Sequence, residues 1–303
     1  MKNSIFKREL LKVYNKAYDF KTKSVDWFLR KKMGVPKIMS VDDTLDYIMN
    51  NKCSVARFGD GELKLAVGED ISFQRWSPSI EKRLCQILKS NTPNCLITLS
   101  EFFEGGKWMK DDSREFIWRR AAHYRVPWTN VIDLNKLYGN TAISRFYYDW
   151  RDKSNCARWI KRLKIIWDNE NLVIIEGEKS RLGYNNDLFD NSNSIRRILC
   201  PKTEAFDYYD EILSKSLSVI KPDDLILIAL GPTATILAYD LSQNGYRALD
   251  IGHVDIEYEW FKQGATQKVK IENKYTNEAV DGKVVGDIFD EDFNKQVVLR
   301  IGC

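Results

Sequence analysis

The sequence predicts an α/β fold with a mostly parallel sheet and helices on both of its faces. Residues 172–175 and 225–230 are continuous apolar runs. Such runs are typical of strands that are covered on both faces. The segments between them carry apolar residues at helical spacing, so strands and helices alternate along the chain.

The composition limits the class of protein and the kind of site. A chain of 303 residues with 44% hydrophobic content can bury a full core. Six cysteines without Cys-x-x-Cys spacing indicate reduced thiols. Two histidines exclude a multi-histidine zinc site and disfavour a serine–histidine triad, so a metal would depend on carboxylates. With neither a signal peptide nor a long apolar span, a cytoplasmic protein is expected.

The N-terminal segment, residues 1–33, is strongly basic, with ten Lys and Arg against three Asp and Glu. Two interpretations stay open: an amphipathic helix on the inner face of an anionic membrane, or a helix packed on the protein body with a solvated basic face. Nucleic acid is not a predicted partner, because the positive charge does not continue into the α/β body. The predicted units are an extension over 1–35, a main domain over 36–265 and a C-terminal extension of unknown role over 266–303.

The predicted elements follow from start and stop signals. Gly34 and Pro36 end the N-terminal helix, Ser40 caps the next one, and a Thr caps the helix after the Gly231 turn. Helices are predicted at 42–49, 79–88, 112–124, 140–149, 155–167, 206–220 and 236–241. Strands are predicted at 53–58, 95–99, 131–133, 172–177, 196–199, 225–230 and 246–251.

The strand at 53–58 ends in the acidic turn Gly59-Asp60-Gly61-Glu62. Its glycines allow the backbone to approach a ligand closely, and the preceding Arg57 can bind a phosphate or carboxylate with two hydrogen bonds. The alternative is a tight turn with exposed charges.

The strand at 225–230 leads through Gly231, Pro232, Thr233 and Ala234 into a helix. Ligands of open α/β sheets lie at the carboxyl ends of the strands, and a helix N-terminus favours a phosphate. This turn is therefore a candidate diphosphate site. Its sequence matches neither a P-loop nor a dinucleotide fingerprint, so a turn made only for packing is the alternative.

Two further groups complete the candidate site. Asp255 and Glu257 follow the strand at 246–251 and offer hard oxygen ligands that suit Mg²⁺ or Mn²⁺. The loop after the strand at 172–177 is rich in hydrogen-bonding side chains. Its Arg181, Asn186 and Asp187 are candidates for contact with a nucleotide or sugar.

Taken in order, the segments 57–62, 176–189, 231–235 and 250–260 resemble the bacterial glycosyltransferases of the GT-D fold. That family, formerly a domain of unknown function, includes the glucosyltransferase that extends the glycan of streptococcal serine-rich-repeat adhesins. The resemblance covers roughly residues 40–265. It implies a Rossmann-like domain, a UDP-sugar donor, a divalent cation bound by an Asp-x-Glu motif, and inversion at the anomeric carbon.

The resemblance and the residues together suggest roles. Asp255 and Glu257 are assigned to the metal, and Asp60 or Glu62 to the base that takes the acceptor proton; the reverse assignment stays open. Arg57, Gly59, the loop residues and the Gly231 turn are assigned to the nucleotide sugar. A glucose or galactose unit would pass to a glycan, glycoprotein or lipid-linked saccharide.

Two other classes of function stay open. A non-catalytic nucleotide-binding module would keep the Gly231 turn but would not need carboxylate pairs at two strand ends. A Rossmann-like methyltransferase would need an early glycine-rich loop, which Gly59-Asp60-Gly61 resembles only weakly.

Overall fold

The computed structural model describes the backbone of residues 2–302 and the side chains of residues 14–302. This description does not include the basic side chains at positions 2, 7, 8 and 12, which contribute to the predicted basic segment, or Cys303. Among the helices described, none has both the length and the apolar composition needed to cross a bilayer.

The strands are short and mostly buried. They are β1 (Lys37–Ile38), β2 (Ser54–Phe58), β3 (Cys95–Leu99), β4 (Leu137–Asn140), β5 (Asn171–Gly177), β6 (Ser194–Cys200), β7 (Asp224–Ala229), β8 (Arg247–Asp250) and β9 (Val297–Arg300).

The helices connect these strands. They are α1 (Lys2–Met33), α2 (Val41–Asn51), α3 (Asp60–Leu65), α4 (Pro78–Lys89), α5 (Asp111–Val131), α6 (Cys156–Ile166), α7 (Tyr209–Val219), α8 (Pro232–Gln243), α9 (Val254–Lys262) and α10 (Glu291–Gln296).

Within the described residues the strands form one nine-stranded sheet in the order β1-β4-β3-β2-β8-β7-β5-β6-β9. Every neighbouring pair is parallel. The carboxyl ends of all these strands therefore lie along the same edge of the sheet, as predicted for a parallel α/β sheet. The carboxyl ends of β2 and β8 meet near the middle of that edge.

Alternate residues of the central strands enter different cores. In β5, Leu172 and Ile174 pack in the cluster that includes α2, α6 and α9. Val173 and Ile175 pack in the cluster that includes α7 and α8. Because successive side chains of a strand point to opposite faces, helices cover both faces of the sheet. The predicted fold class is confirmed.

Most predicted elements are present, but the region 131–149 is different. Residues 131–133 end helix α5 and begin a turn, and the strand of this region is β4 instead. The predicted helix at 140–149 is only a 3-10 turn, Thr141–Ser144. The helix after Gly231 begins at Pro232 without a side-chain cap, so the expected Thr cap is wrong. A proline at the first helical position needs no such partner for its own nitrogen.

The two terminal segments pack on the body. Helix α1 lies along α5, and Gly34, which follows its last residue, has a φ of +83°. The segment after residue 265, for which the sequence indicates no role, adds β9 beside β6 as an edge strand of the sheet. It also places Lys274 and Glu278 against α9 and the carboxyl edge of the sheet.

Candidate functional site

Arg57 lies at the carboxyl end of β2 and is only 8% exposed. Its Nε donates to Oδ1 of Asp250, the last residue of β8, over 3.2 Å. The hydroxyl of Thr235 in α8 lies 2.8 Å from the Arg57 carbonyl and 3.2 Å from Asp250 Oδ2. Among the described residues nothing accepts a hydrogen bond from the Arg57 Nη atoms. The Arg57 guanidinium is thus held through its Nε, and its Nη groups remain as donors for an anionic ligand.

Glu62 lies beside this arginine, in the first turn of α3. Its Oε2 accepts the N–H of Gly59 over 2.8 Å, which closes the helix start back onto the turn. Burial raises the pKa of Glu62 to about 7, with Arg57 opposing and Asp250 adding to the rise. A carboxyl group with this pKa exchanges protons near neutral pH, which suits a general base. The neighbouring Asp60 is 38% exposed at its side chain, with Arg120 Nη1 3.9 Å away.

Gly252 lies directly under the Arg57 guanidinium. Its φ is +45°, and a Cβ added there would lie 1.9 Å from Arg57 Nη2. The Gly252 N–H also donates to Asp250 Oδ1 over 3.1 Å. Only glycine combines this backbone conformation with so close an approach.

We expect Gly252→Ala to displace Arg57 and to weaken UDP binding by about tenfold, the scale of one charge-assisted hydrogen bond. Isothermal titration calorimetry measures the affinity. The matched control is Gly245→Ala, because Gly245 has a φ of +84° and no atom within 4 Å of an added Cβ. Both variants carry the backbone strain, but only the first moves Arg57. Equal UDP affinity in the two variants would contradict this role of Gly252.

A second cluster of charged side chains, centred on Glu278, lies next to Arg57 and includes His253. Arg145 and Lys268 both pair with Glu278, and His253 Nε2 lies 3.0 Å from Glu278 Oε1. Although burial favours the neutral acid, the charge of Arg145 and the hydrogen bond from His253 hold the pKa of Glu278 well below its usual value. Burial and Arg145 lower the pKa of His253, so its imidazole is neutral at pH 7. This group adds positive charge to the same edge of the sheet.

The candidate diphosphate turn has an unusual backbone. Gly231 is exposed, with a φ of 55° and a ψ of −144°, and a Cβ added there would lie 2.9 Å from the Phe73 ring. Ala234 N–H donates to the Gly231 carbonyl over 3.0 Å, and Pro232 has no N–H. Thr233 is fully buried, and its Oγ1 has no hydrogen-bond partner among the described residues. The turn lies at the predicted edge, and its phosphate contact remains a prediction.

Asp255 and Glu257 lie in the first turn of α9, not in an extended strand end. Side chains two positions apart on a helix point to opposite sides. Glu257 Oε2 accepts the N–H groups of Tyr147 and Tyr148, each over 2.8 Å, and so fixes the chain after the 3-10 turn. Its Oε1 is buried without a partner among the described residues, and burial raises its pKa to about 7.

Asp255 faces away from Glu257, toward the C-terminal segment. Its two oxygens accept from Lys274 Nζ over 2.9 and 2.8 Å, and Lys274 is 1% exposed. Oδ1 also accepts from the Gly183 N–H and from Asn186 Nδ2. An ammonium group thus occupies the side of Asp255 that a cation would need.

Asp255 and Glu257 do not fit a shared metal site in this arrangement, because their carboxylates diverge and Asp255 already has a cationic partner. In the part of the chain from 14 to 302, no cluster of three or more His, Cys, Asp or Glu is placed to hold a metal. Magnesium and manganese, however, often take only one or two carboxylates and complete their shell with phosphate and water. The exposed carboxylate of Asp60 fits that pattern.

The three loop residues assigned to the nucleotide have structural partners instead. The guanidinium of Arg181 donates to the carbonyls of Asn273 and Gly286, each over 2.8 Å. Asn186 donates to Asp255 and Glu259. Asp187 pairs with Lys164 and Lys262 at the surface. These contacts join the loop to α9 and the C-terminal segment. The contact of the three side chains with a nucleotide or sugar stays a prediction.

Sequence reasoning gave no role to three residues of the site: Asp250, His253 and Glu278. Asp250 ends a predicted strand, and that position is the signal that could have found it. His253 stands next to a glycine after the same strand. Glu278 carries no such signal, because it lies in a segment without periodic pattern.

Comparison with known proteins shows relatives for most of the chain. Residues 55–279 match the family model described as the glycosyltransferase GT-D fold. The chain is 38% identical over 273 residues to the probable glycosyl transferase Gly of Streptococcus gordonii, covering 87% of this chain and 39% of that protein. It is 37% identical over 274 residues to the glycosyltransferase GlyD of Streptococcus pneumoniae serotype 4, covering 90% of this chain and 33% of that protein. The chain therefore spans between a third and two fifths of these curated relatives.

Solved structures agree with the fold. One, described as the domain of unknown function 1792 with a distinct glycosyltransferase fold, has a TM-score of 0.86 at 39% identity, covering 91% of this chain and 100% of that one. Another, a glycosyltransferase with the same domain from Streptococcus sanguinis, has a TM-score of 0.82 at 36% identity, covering 88% and 100%.

Proposed function

The chain belongs to the glycosyltransferase GT-D fold family, and from this membership we propose that it transfers glucose or galactose from a UDP-sugar to a glycan acceptor. The acceptor would be a glycan, a glycoprotein or a lipid-linked saccharide in the synthesis of a cell-surface polysaccharide or glycoprotein. We further propose that the transfer inverts the anomeric carbon and depends on a divalent cation.

The observation that carries the proposal is the pair Arg57 and Glu62 at the carboxyl edge of the sheet. An arginine whose Nη groups have no acceptor among residues 14–302 stands beside a buried carboxyl group whose pKa is about 7. Glycosyl transfer from a nucleotide sugar needs both functions, because a diphosphate leaves while an acceptor hydroxyl loses its proton.

In the proposed reaction the acceptor oxygen attacks the anomeric carbon from the face opposite the diphosphate. Glu62 accepts the proton of that hydroxyl, and the bond between the sugar and UDP breaks with its electron pair on the diphosphate. Arg57 and Arg145 face the developing charge, and Asp250 and Glu278 hold these two guanidinium groups in position. One base is sufficient for a single displacement that inverts the centre.

A bound Mn²⁺ or Mg²⁺ would neutralise charge on the leaving diphosphate. Asp60 is the residue that we propose as its protein ligand, since its carboxylate is exposed and next to Glu62. For Asp60 this choice follows the reverse assignment that the sequence left open, whereas Glu62 keeps the role of base from the first assignment. The observation behind it is the contact of Asp255 with Lys274.

A donor screen tests the function. The full chain is incubated with UDP-glucose, UDP-galactose and other nucleotide sugars with Mn²⁺, and released UDP is measured. We expect release from one UDP-hexose, suppressed by EDTA and restored by Mn²⁺. Metal-dependent UDP binding without turnover on any donor, with or without added saccharides, would favour the non-catalytic module. Thermal stabilisation by S-adenosylmethionine, but not by UDP, would favour the methyltransferase.

A further inference from the structure

Helix α1 is held on the body by its acidic residues. Asp26 is fully buried, and its carboxylate binds the guanidinium groups of Arg125 and Arg30 over 2.5 and 3.0 Å. Asp19 accepts from Arg119 over 2.6 Å. Both arginines, Arg119 and Arg125, belong to α5. Asp19 and Asp26 are the only acidic residues between positions 14 and 33. All the negative charge of that stretch is therefore paired with arginines.

The sides of α1 that turn away from α5 expose large aromatic side chains. Phe20 is 74% exposed, Trp27 57% and Phe28 59%. Aromatic residues of this size are normally buried, and three within two and a half turns form a patch with no partner among the described residues.

Lysines flank these aromatic residues in two stripes at helical spacing. One stripe runs through Lys16, Phe20, Trp27 and Lys31, and all four residues are exposed. The other runs through Lys21, Phe28 and Lys32, which are also exposed. Residues separated by four or seven positions share one side of a helix, so each stripe has a lysine at both ends and its aromatic side chains between them. We call these seven residues the outer face of α1.

We propose that the outer face of α1 docks on the surface of a lipid bilayer that contains anionic headgroups. Aromatic rings enter the boundary between headgroups and acyl chains, and lysines reach the phosphates with their ammonium groups. Because the outer face has no carboxylate, nothing on it repels an anionic surface. A second copy of the same face is a poor partner, since it would bring lysines against lysines.

Helix α5 connects α1 to the edge of the sheet that carries the proposed site. Arg119 of α5 holds Asp19 of α1, and the next residue, Arg120, lies 3.9 Å from Asp60. The acidic turn that carries Asp60 and Glu62 is thus joined to α1 by one helix. This inference depends on α1 and α5 alone, and it holds for any activity of the sheet edge.

Vesicle co-sedimentation tests the proposal with the full chain. We expect the protein to pellet with vesicles of phosphatidylcholine and phosphatidylglycerol, to remain in the supernatant with phosphatidylcholine alone, and to be released by salt because screening weakens the attraction. Equal binding to both kinds of vesicle, or binding to neither, would overturn the proposal.

A triple variant, Phe20→Ser with Trp27→Ser and Phe28→Ser, isolates the aromatic residues. We expect its vesicle partition coefficient to fall by about tenfold or more, while circular dichroism is unchanged. The matched control is Val280→Ser with Val284→Ser and Phe289→Ser, since these side chains are 84%, 70% and 100% exposed in the C-terminal segment. A similar loss in the control would overturn the proposal, as would a wild-type dimer in light scattering that the α1 variant makes monomeric. Tighter binding to RNA than to the anionic vesicles would overturn it as well.

Discussion

Glu62→Gln is expected to slow sugar transfer by about 10²–10⁴-fold, the usual contribution of a general base. The amide keeps the size of the side chain and still accepts the Gly59 N–H, so the start of α3 and the Arg57 contacts remain. The variant cannot take a proton from the acceptor hydroxyl. Because that loss falls in the transition state, we expect kcat to fall while donor affinity stays within about threefold.

The pH dependence gives an independent check. Only the carboxylate form of Glu62 is a base, and burial raises its pKa to about 7. The wild-type kcat/KM is therefore expected to rise as the pH increases through about 7 and to level off above it. The residual activity of Glu62→Gln should lack this rise.

Asp60→Asn serves as the matched comparison, since it makes the same change two residues earlier in the same turn. We expect this variant to weaken Mn²⁺-dependent UDP binding, because Asp60 is the proposed metal ligand. If Glu62→Gln retained full transfer, or if it lost UDP binding while Asp60→Asn kept it, the two roles would be wrong.

Lys274→Met is expected to lower the free energy of unfolding by about 3–5 kcal/mol, the cost of removing one partner of a buried ion pair. Lys274 is 1% exposed and donates to both oxygens of Asp255 and to Glu259. Without the ammonium group, the buried Asp255 carboxylate keeps only neutral donors. Chemical denaturation measures the loss of stability. We expect the C-terminal segment to detach from α9 before the rest of the protein unfolds.

Two further variants sharpen this test. Lys262→Met removes a lysine that pairs with Asp187 at the surface, where it is 45% exposed, and should cost less than about 1 kcal/mol. The double variant Lys274→Met with Asp255→Asn should recover part of the loss, because the unpaired charge is gone. A Lys274→Met variant as stable as Lys262→Met would refute the structural role of this pair. Asp255 would then be available again as a metal ligand.

The order of elements could be predicted from local sequence because its causes are local. Continuous apolar runs such as 225–230 identify buried parallel strands, and Ser40 caps α2 through the Asp43 N–H as expected. The predicted strand at 131–133 was wrong because a short apolar run also suits the end of a buried helix. Helix α5 continues through Pro127 to that point, and the true strand β4 contains Gly139 and Asn140, which give a weak strand signal.

The sequence by itself also identified the acidic segment 59–62 and the arginine before it, since glycine and charge stand out at a strand end. It did not predict that Asp60 begins helix α3. The pairing of Arg57 with Asp250 could come only from the tertiary structure, because β2 and β8 are neighbours although 193 positions separate these two residues. The directions of Asp255 and Glu257 were decided in the same way. A sequence shows that two carboxylates are near each other along the chain, but a helix turns them apart, and only the packed fold brings Lys274 to one and the backbone of Tyr147 and Tyr148 to the other.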